Sequence, residues 1–193
     1  IALPVFPSRR LFHSELSYHT DSGIKKPEDL AGKRLGVGEY QQTAALWLRG
    51  ILEHDFGVSQ YKVHWYMERT EELSHGGATG FTPPQGISFQ RIPPDKSMAS
   101  MLVHGELDAA AINSPWKNQP NVIGRSHKIP GAEGDWSKVK LLFDDRMAEG
   151  KRFFDKWGFL PVNHAYTIRG DIYKKYPWVA FNLYSVFVKS KAH

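Results

Sequence analysis

One strand–helix–strand passage restricts the fold more than any other part of the chain. Ala44, Leu48, Ile51, Leu52 and Phe56 recur at helical spacing, and Gly57 follows as a stop signal. Before that helix, residues 33–37 (KRLGV) read as a brief strand, and after it residues 61–66 (YKVHWY) alternate as another. A helix between two short strands is the pattern of a crossover joining parallel strands. Strands and helices alternate through most of the chain, which argues an α/β sheet rather than a bundle or a sandwich.

The remaining segments extend that reading. Residues 14–20 form an expected strand ending at the turn cluster Asp21-Ser22-Gly23, and Pro27 opens a short helix that Gly32 ends. Residues 87–92 read as a strand. Asp95 is the expected cap of a helix through Met98, Met101 and Leu102 that stops at Gly105, and residues 107–113 (LDAAAIN) form a small-residue strand. Strands are expected at 139–143 and 162–168. Between them Met147, Phe154 and Trp157 mark a helix that stops at Gly158. A last helix is capped by Asp171, carries Tyr176, Val179, Leu183 and Phe187 on one face, and has Pro177 as a point of kinking. Residues 68–86 and 115–136, rich in glycine and proline, read as loops.

Composition removes several classes. With 193 residues, 41% hydrophobic and 23% charged, the chain is globular and large enough for one domain or two small lobes. No apolar run reaches the roughly 18–20 residues that span a bilayer, so no membrane role is expected. The absence of cysteine excludes disulfides, thiolate metal sites and cysteine nucleophiles. The net charge of +5 arises after residue 137, on segments that read as amphipathic helices with solvated lysines. With no RNP, zinc-finger or basic-zipper pattern, nucleic acid is not an expected partner. The chain starts at Ile1 rather than Met, which reads as a fragment or an absent true N-terminus.

Three places carry candidate chemistry. The loop 36–43 follows a strand and opens the best helix, so the backbone N–H groups and dipole of that helix suit a carboxylate or phosphate there. Its candidates are Tyr40, Gln41 and Thr43, with Trp47 and Arg49 on the helix; a plain turn capped by Gln42 or Thr43 is the competing reading. GVGEYQQT lacks the Walker lysine and the Rossmann glycines. The second place is Ser8-Arg9-Arg10-Leu11-Phe12-His13-Ser14, where an arginine could hold a carboxylate and His13 could donate a proton, or where the run is simply a basic surface loop. The third is His164 in an apolar strand, a structural histidine or a ligand-facing one. No HxH or HxxxH pair occurs, so the spacing indicates no metal ligands, and there is no GxSxG elbow.

Together these segments resemble a known family. Residues 27–37 (PEDLAGKRLGV) look like the segment that opens the second lobe of type II periplasmic-binding-protein folds. IALPVFPSRRLFHSELSYHTDSGI, followed by GEYQQTAALWLRGILEHDFGV, resembles the 4,5-dihydroxyphthalate decarboxylase family, which typically shows PVFPSRxFRHS and PEYQMTAAVWIRGIL. Residues 94–108, 158–168 and 171–179 add matches. Gly38 stands where that pattern has proline and Gln42 where it has methionine, which leaves the substrate open. The resemblance implies a lobe over 21–160, a hinge strand and the edge of the first lobe over 1–20, and a return hinge strand with the C-terminal helix over 161–193. It also implies that family members carry about a hundred further residues before Ile1. His13 and His164 would sit on neighbouring hinge strands facing a cleft.

The activity so implied is loss of carbon dioxide from a small anionic aromatic acid, by a cytoplasmic enzyme with no cofactor. The implied catalytic residues are His13 and His164. Arg9, Arg10, Ser14, Tyr40, Gln41, Thr43, Trp47, Arg49 and Asn113 are the candidates for binding substrate. A divalent metal on the catechol oxygens and a homo-oligomer stay open. The alternative is a non-catalytic solute-binding protein of an ABC-type transporter, which would be periplasmic, or a ligand sensor with the same fold.

Overall fold

The strand–helix–strand order is present in a computed structural model that describes residues 1–70, 80–111 and 134–191, with the second strand at His64–Met67 rather than 61–66 because Gln60–Lys62 form a 3₁₀ turn. In chain order the strands are β1 (Ser8–Arg9), β2 (Leu16–His19), β3 (Arg34–Val37), β4 (His64–Met67), β5 (Ser88–Arg91), β6 (Ala109–Ala111), β7 (Val139–Leu141) and β8 (Val162–His164). The α-helices are α1 (Thr43–Phe56), α2 (Met98–Val103), α3 (Arg146–Trp157), α4 (Gly170–Lys175) and α5 (Trp178–Lys191). The chain divides into two units, Phe12–Arg152 and Ile1–Leu11 with Phe153–His193.

Phe12–Arg152 is built on a six-stranded mixed sheet of order β5-β4-β3-β6-β2-β7. β3 runs parallel to β4 and β6, β4 parallel to β5, and β2 antiparallel to β6 and β7. Leu35 lies opposite Trp65 and Ala109, so α1 is the crossover between adjacent parallel strands. α1 ends where Gly57 takes φ +67° and its N–H reaches the carbonyls of Glu53 and Leu52, a left-handed stop that glycine adopts without strain.

Alternating residues of the strands serve two cores. Leu35, Val37, Trp65, Met67 and Ala109 pack with Leu48 and Leu52 of α1, whereas Ala110 and Val139 pack with Met98, Met101 and Leu102 of α2. The sheet is therefore covered on both faces. α2 comes close to β3: a Cβ placed on Gly36 would lie 2.8 Å from Leu107 Cδ1 and 3.1 Å from Met98 Cγ. β6 can be all alanine because the helices press in from either side.

In the other unit, β1 and β8 pair antiparallel, with Ser8 opposite His164. The pairing extends through the Ala2–Thr167 bridge and the bonds Leu3 N–H to Tyr166 O (2.8 Å) and Tyr166 N–H to Val5 O (3.2 Å). Tyr166 stacks on Phe187 of α5 at 4.4 Å.

Several expectations are corrected. Only residues 16–19 of the expected 14–20 strand are extended. Phe12–Glu15 instead form a 3₁₀ turn that buries Phe12, His13 and Ser14. The short helix at Pro27 is a single 3₁₀ turn, Pro27–Leu30. The cap of α2 is Ser97 rather than Asp95, because the Ser97 hydroxyl accepts from Ser100 N–H while Ser100 Oγ accepts from Ser97 N–H. α3 does not bury Met147, Phe154 and Trp157; Met147 is 85% exposed, and the helix turns Glu149 and Phe153 inward. The last helix is two, α4 and α5, because Pro177 cannot continue the ladder, and Asp171 sits in the first turn of α4 rather than at its cap.

Candidate functional site

The 3₁₀ turn ahead of β2 drives His13 into the interior, where its ring is fully buried. Its Nε2 lies 2.5 Å from Glu149 Oε1. Glu149 is near the start of α3, whose first turn is held by Asp145 Oδ1 accepting from Ala148 N–H at 2.8 Å. One turn on, Arg152 donates to both Glu149 oxygens, through Nε to Oε2 at 2.8 Å and Nη2 to Oε1 at 2.7 Å. The same Nη2 reaches Asp55 Oδ2 of α1 at 2.7 Å. His13, Glu149, Arg152 and Asp55 thus form one chain of alternating basic and acidic groups.

Aromatic rings surround it. Phe143 meets the imidazole edge-on at 5.2 Å, Phe56 lies 6.5 Å away, and the Arg152 guanidinium stands 5.0 Å over the Phe56 ring. Burial pushes the Glu149 carboxyl up, but hydrogen bonds from His13 and Arg152 outweigh it and hold the group below its ordinary value. The Arg152 guanidinium is raised, chiefly by its bonds to Glu149, against the opposing effect of burial. An ionised carboxylate only accepts, so the network assigns the hydrogen between His13 and Glu149 to Nε2. Such a pair fixes the tautomer and the orientation of the imidazole.

Sequence reasoning named His13 as a candidate and did not name Glu149, Arg152 or Asp55, which the structure links to it in one bonded chain. The signal was faint: Glu149 and Arg152 are three residues apart on an expected helix, a spacing that usually marks a solvated face.

The second candidate place, after β3, lies at the point where the sheet order reverses: β4 and β5 continue on one side of β3 and β6 on the other. Ligands of open α/β sheets collect at such a point. Gln42 is the N-cap of α1 and makes no side-chain cap bond, Thr43 opens the helix exposed, and Gln41 and Trp47 are half-buried. Glu39, also in this loop, is buried and ion-paired with Arg69 at 3.3 Å.

The structure places Tyr40 and Arg49 in the core, bonded to each other. The Arg49 guanidinium donates to the Tyr40 carbonyl and lies 3.8 Å from the centre of its ring. The Tyr40 hydroxyl donates to Gln60 Oε1 at 2.6 Å, and its ring meets Trp65, Phe81 and Phe89. Burial raises the Tyr40 hydroxyl and lowers the Arg49 guanidinium, and in each case the charge of the other opposes it.

The remaining candidates fall as follows. Ser14 is buried in the same turn as His13. Arg9 and Arg10 are exposed in the terminal unit, with the Arg9 guanidinium 6.0 Å from the Phe6 ring. His164 is exposed on β8, 3.2 Å from Asn163 Nδ2. The expectation that His13 and His164 share neighbouring strands is corrected: the residue paired with His164 is Ser8, and His13 is in a 3₁₀ turn assigned to the other unit. Asn113 lies outside the described residues. Among the described residues, no three histidines or acids gather as a metal-binding group. Among them, too, no helix is long and apolar enough to cross a membrane.

Comparison with known proteins gives two relatives. A curated 4,5-dihydroxyphthalate decarboxylase from Comamonas testosteroni is 32% identical over 192 residues, covering 100% of this chain and 54% of that protein. One of the same name from Pseudomonas putida is 36% identical over 143 residues, covering 72% of this chain and 55% of that protein. The chain spans about half the length of the curated relatives it matches. No family model matches it. The resemblance read from the motifs is borne out.

Proposed function

We propose, on the premise that the chain is homologous to the 4,5-dihydroxyphthalate decarboxylases, that it serves to remove one carboxyl group as carbon dioxide from a dihydroxylated aromatic dicarboxylic acid. Homology along the whole chain is the observation that carries this reading. In 4,5-dihydroxyphthalate each carboxylate is para to a hydroxyl. Electrons from that oxygen flow into the ring, and a proton adds to the carbon bearing the carboxylate. The carbon–carboxyl bond then breaks, its electron pair restores the aromatic ring, and carbon dioxide leaves. The net change consumes one proton and yields 3,4-dihydroxybenzoate.

Such a step needs a cation or helix N-terminus for the carboxylates and an acid for the ring carbon. We assign the acid to His13, supported by its acceptor-bound Nε2 and its aromatic surroundings. His164 is the second candidate for that role. The amides of residues 40–43 at the start of α1 are assigned to the carboxylates, and Arg9 and Arg10 are separate candidates for that role. The polypeptide arrangement fits a type II periplasmic-binding-protein fold, supported by the sheet order and by the antiparallel β2 within an otherwise parallel set. In that arrangement residues 1–20 and 161–168 serve as hinge segments.

The test is direct. Incubation with 4,5-dihydroxyphthalate should release one carbon dioxide per ring and form 3,4-dihydroxybenzoate. Saturable binding without carbon dioxide would instead mark a solute-binding protein, a reading the names of the two relatives do not favour.

A further inference from the structure

We infer that Glu149 is a positioning residue for His13, fixing its tautomer and ring orientation, with Arg152 and Asp55 holding the Glu149 carboxylate in place. This inference rests on the decarboxylase reading and extends it to three residues that no motif marked.

The geometry carries it. His13 Nε2 and Glu149 Oε1 are 2.5 Å apart, both side chains are buried, and the two come from segments 136 residues apart in the chain. The Glu149 carboxylate cannot turn away, because Arg152 binds both its oxygens and is itself anchored by the buried Asp55. Among the described residues, the charged groups bonded on this side of His13 include Glu149 and, behind it, Arg152, both from α3, with Asp55 of α1 bonded to Arg152. Phe56 and Phe143 close two other sides with apolar rings. A histidine that needed only a structural hydrogen bond would be satisfied by one neutral acceptor. An ionised carboxylate, itself clamped by a guanidinium, commits Nε2 as the donor and directs proton exchange to Nδ1.

Two readouts test this on the full chain. Nitrogen NMR of histidine-labelled protein reports which ring nitrogen of His13 carries hydrogen, with His13→Asn identifying the signal. The expected result is a protonated Nε2 in the unmodified protein and loss of that fixed assignment in Glu149→Gln. A His13 protonated at Nδ1 alone, or a signal unmoved by Glu149→Gln, would overturn the inference without any variant activity being needed. Turnover of 4,5-dihydroxyphthalate is the second readout. Glu149→Gln should lower kcat by at least about 10²-fold, the lower bound for a general acid–base contribution, with KM little changed, and Glu149→Asp should restore part of it. Equal losses in kcat for Gln and Asp, or an unchanged kcat in Gln, would also overturn it. If the unmodified chain shows no turnover, the decarboxylase reading fails, and the NMR result alone decides whether Glu149 holds His13.

Discussion

Arg152 is the cation on which two buried carboxylates depend, and replacing it by methionine tests the electrostatics of the site. The substitution keeps an unbranched apolar stem beside Phe56 and removes the guanidinium that Glu149 and Asp55 share. The Glu149 side chain is 8% exposed and that of Asp55 0%, so neither recovers full hydration. Breaking a buried pair by removing one partner costs about 3–5 kcal/mol. Arg152 itself is 37% exposed, so water already screens part of its attraction, and the lower end, about 3 kcal/mol, is expected. With a urea m value of about 2 kcal/mol/M, the midpoint should fall by about 1.5 M, followed by tryptophan fluorescence.

The pH dependence supplies the sign. Glu149 is held below its ordinary value of 4.5 in the folded protein, so its contribution is fully present above that pH and is lost as pH falls through the depressed value. In Arg152→Met the depression shrinks, and burial pushes the Glu149 carboxyl upward. The gap between the two proteins should therefore be widest near pH 7 and should narrow as the pH falls below 4.5 and through the depressed value of Glu149. A deficit under about 1 kcal/mol at pH 7, or an equal deficit at pH 4 and pH 7, would refute this account of the charged chain.

Other substitutions probe the scaffold. Gly36→Ala should destabilise by about 1–3 kcal/mol in thermal unfolding, because its Cβ would stand 2.8 Å from Leu107 Cδ1, just after α2, and 3.1 Å from Met98 Cγ of α2; an unchanged Tm would show that this segment is not pressed against β3. Ser97→Ala removes the acceptor for Ser100 N–H and should cost about 1 kcal/mol in urea unfolding, whereas Asp95→Ala should be near neutral; the reverse order would restore Asp95 as the cap. Asp108→Ala strips the partner that Arg34 binds through its backbone N–H at 2.8 Å, its Nε at 3.0 Å and its Nη2 at 2.8 Å. A loss of roughly 1.5–3 kcal/mol is expected, with a midpoint equal to that of the unmodified protein as the contrary result.

Where hydrophobic period and breakers agreed, the elements were legible in the sequence. α1 matched because five apolar residues share a helical face and Gly57 can take a positive φ. β3 matched to within a residue, and β4 was located but begins at His64, because Gln60–Lys62 close a 3₁₀ turn that the alternating pattern at 61–66 does not show. The turn at Phe12–Glu15 was not legible, because its burial comes from packing against distant segments and the local pattern reads as extended. α3 was located but turned the wrong way: its inward residue Glu149 is polar, and its burial is made favourable by Arg152 three residues on and by His13, 136 residues away. Tyr40 and Arg49 read as pocket residues because aromatic and cationic side chains beside a helix start suit a ligand. In the structure the same two types serve each other in the core. His13 was singled out for its motif, and the groups that give it chemical meaning came from tertiary contact.

The central claim is that this chain carries decarboxylase chemistry with His13 delivering the proton. Carboxyl-¹³C-labelled 4,5-dihydroxyphthalate in deuterated water tests it most directly. The account predicts labelled carbon dioxide and one deuterium at the vacated ring carbon, with release slowed at least about 10²-fold in His13→Asn. No labelled carbon dioxide, or the same rate in His13→Asn as in the unmodified protein, would contradict it.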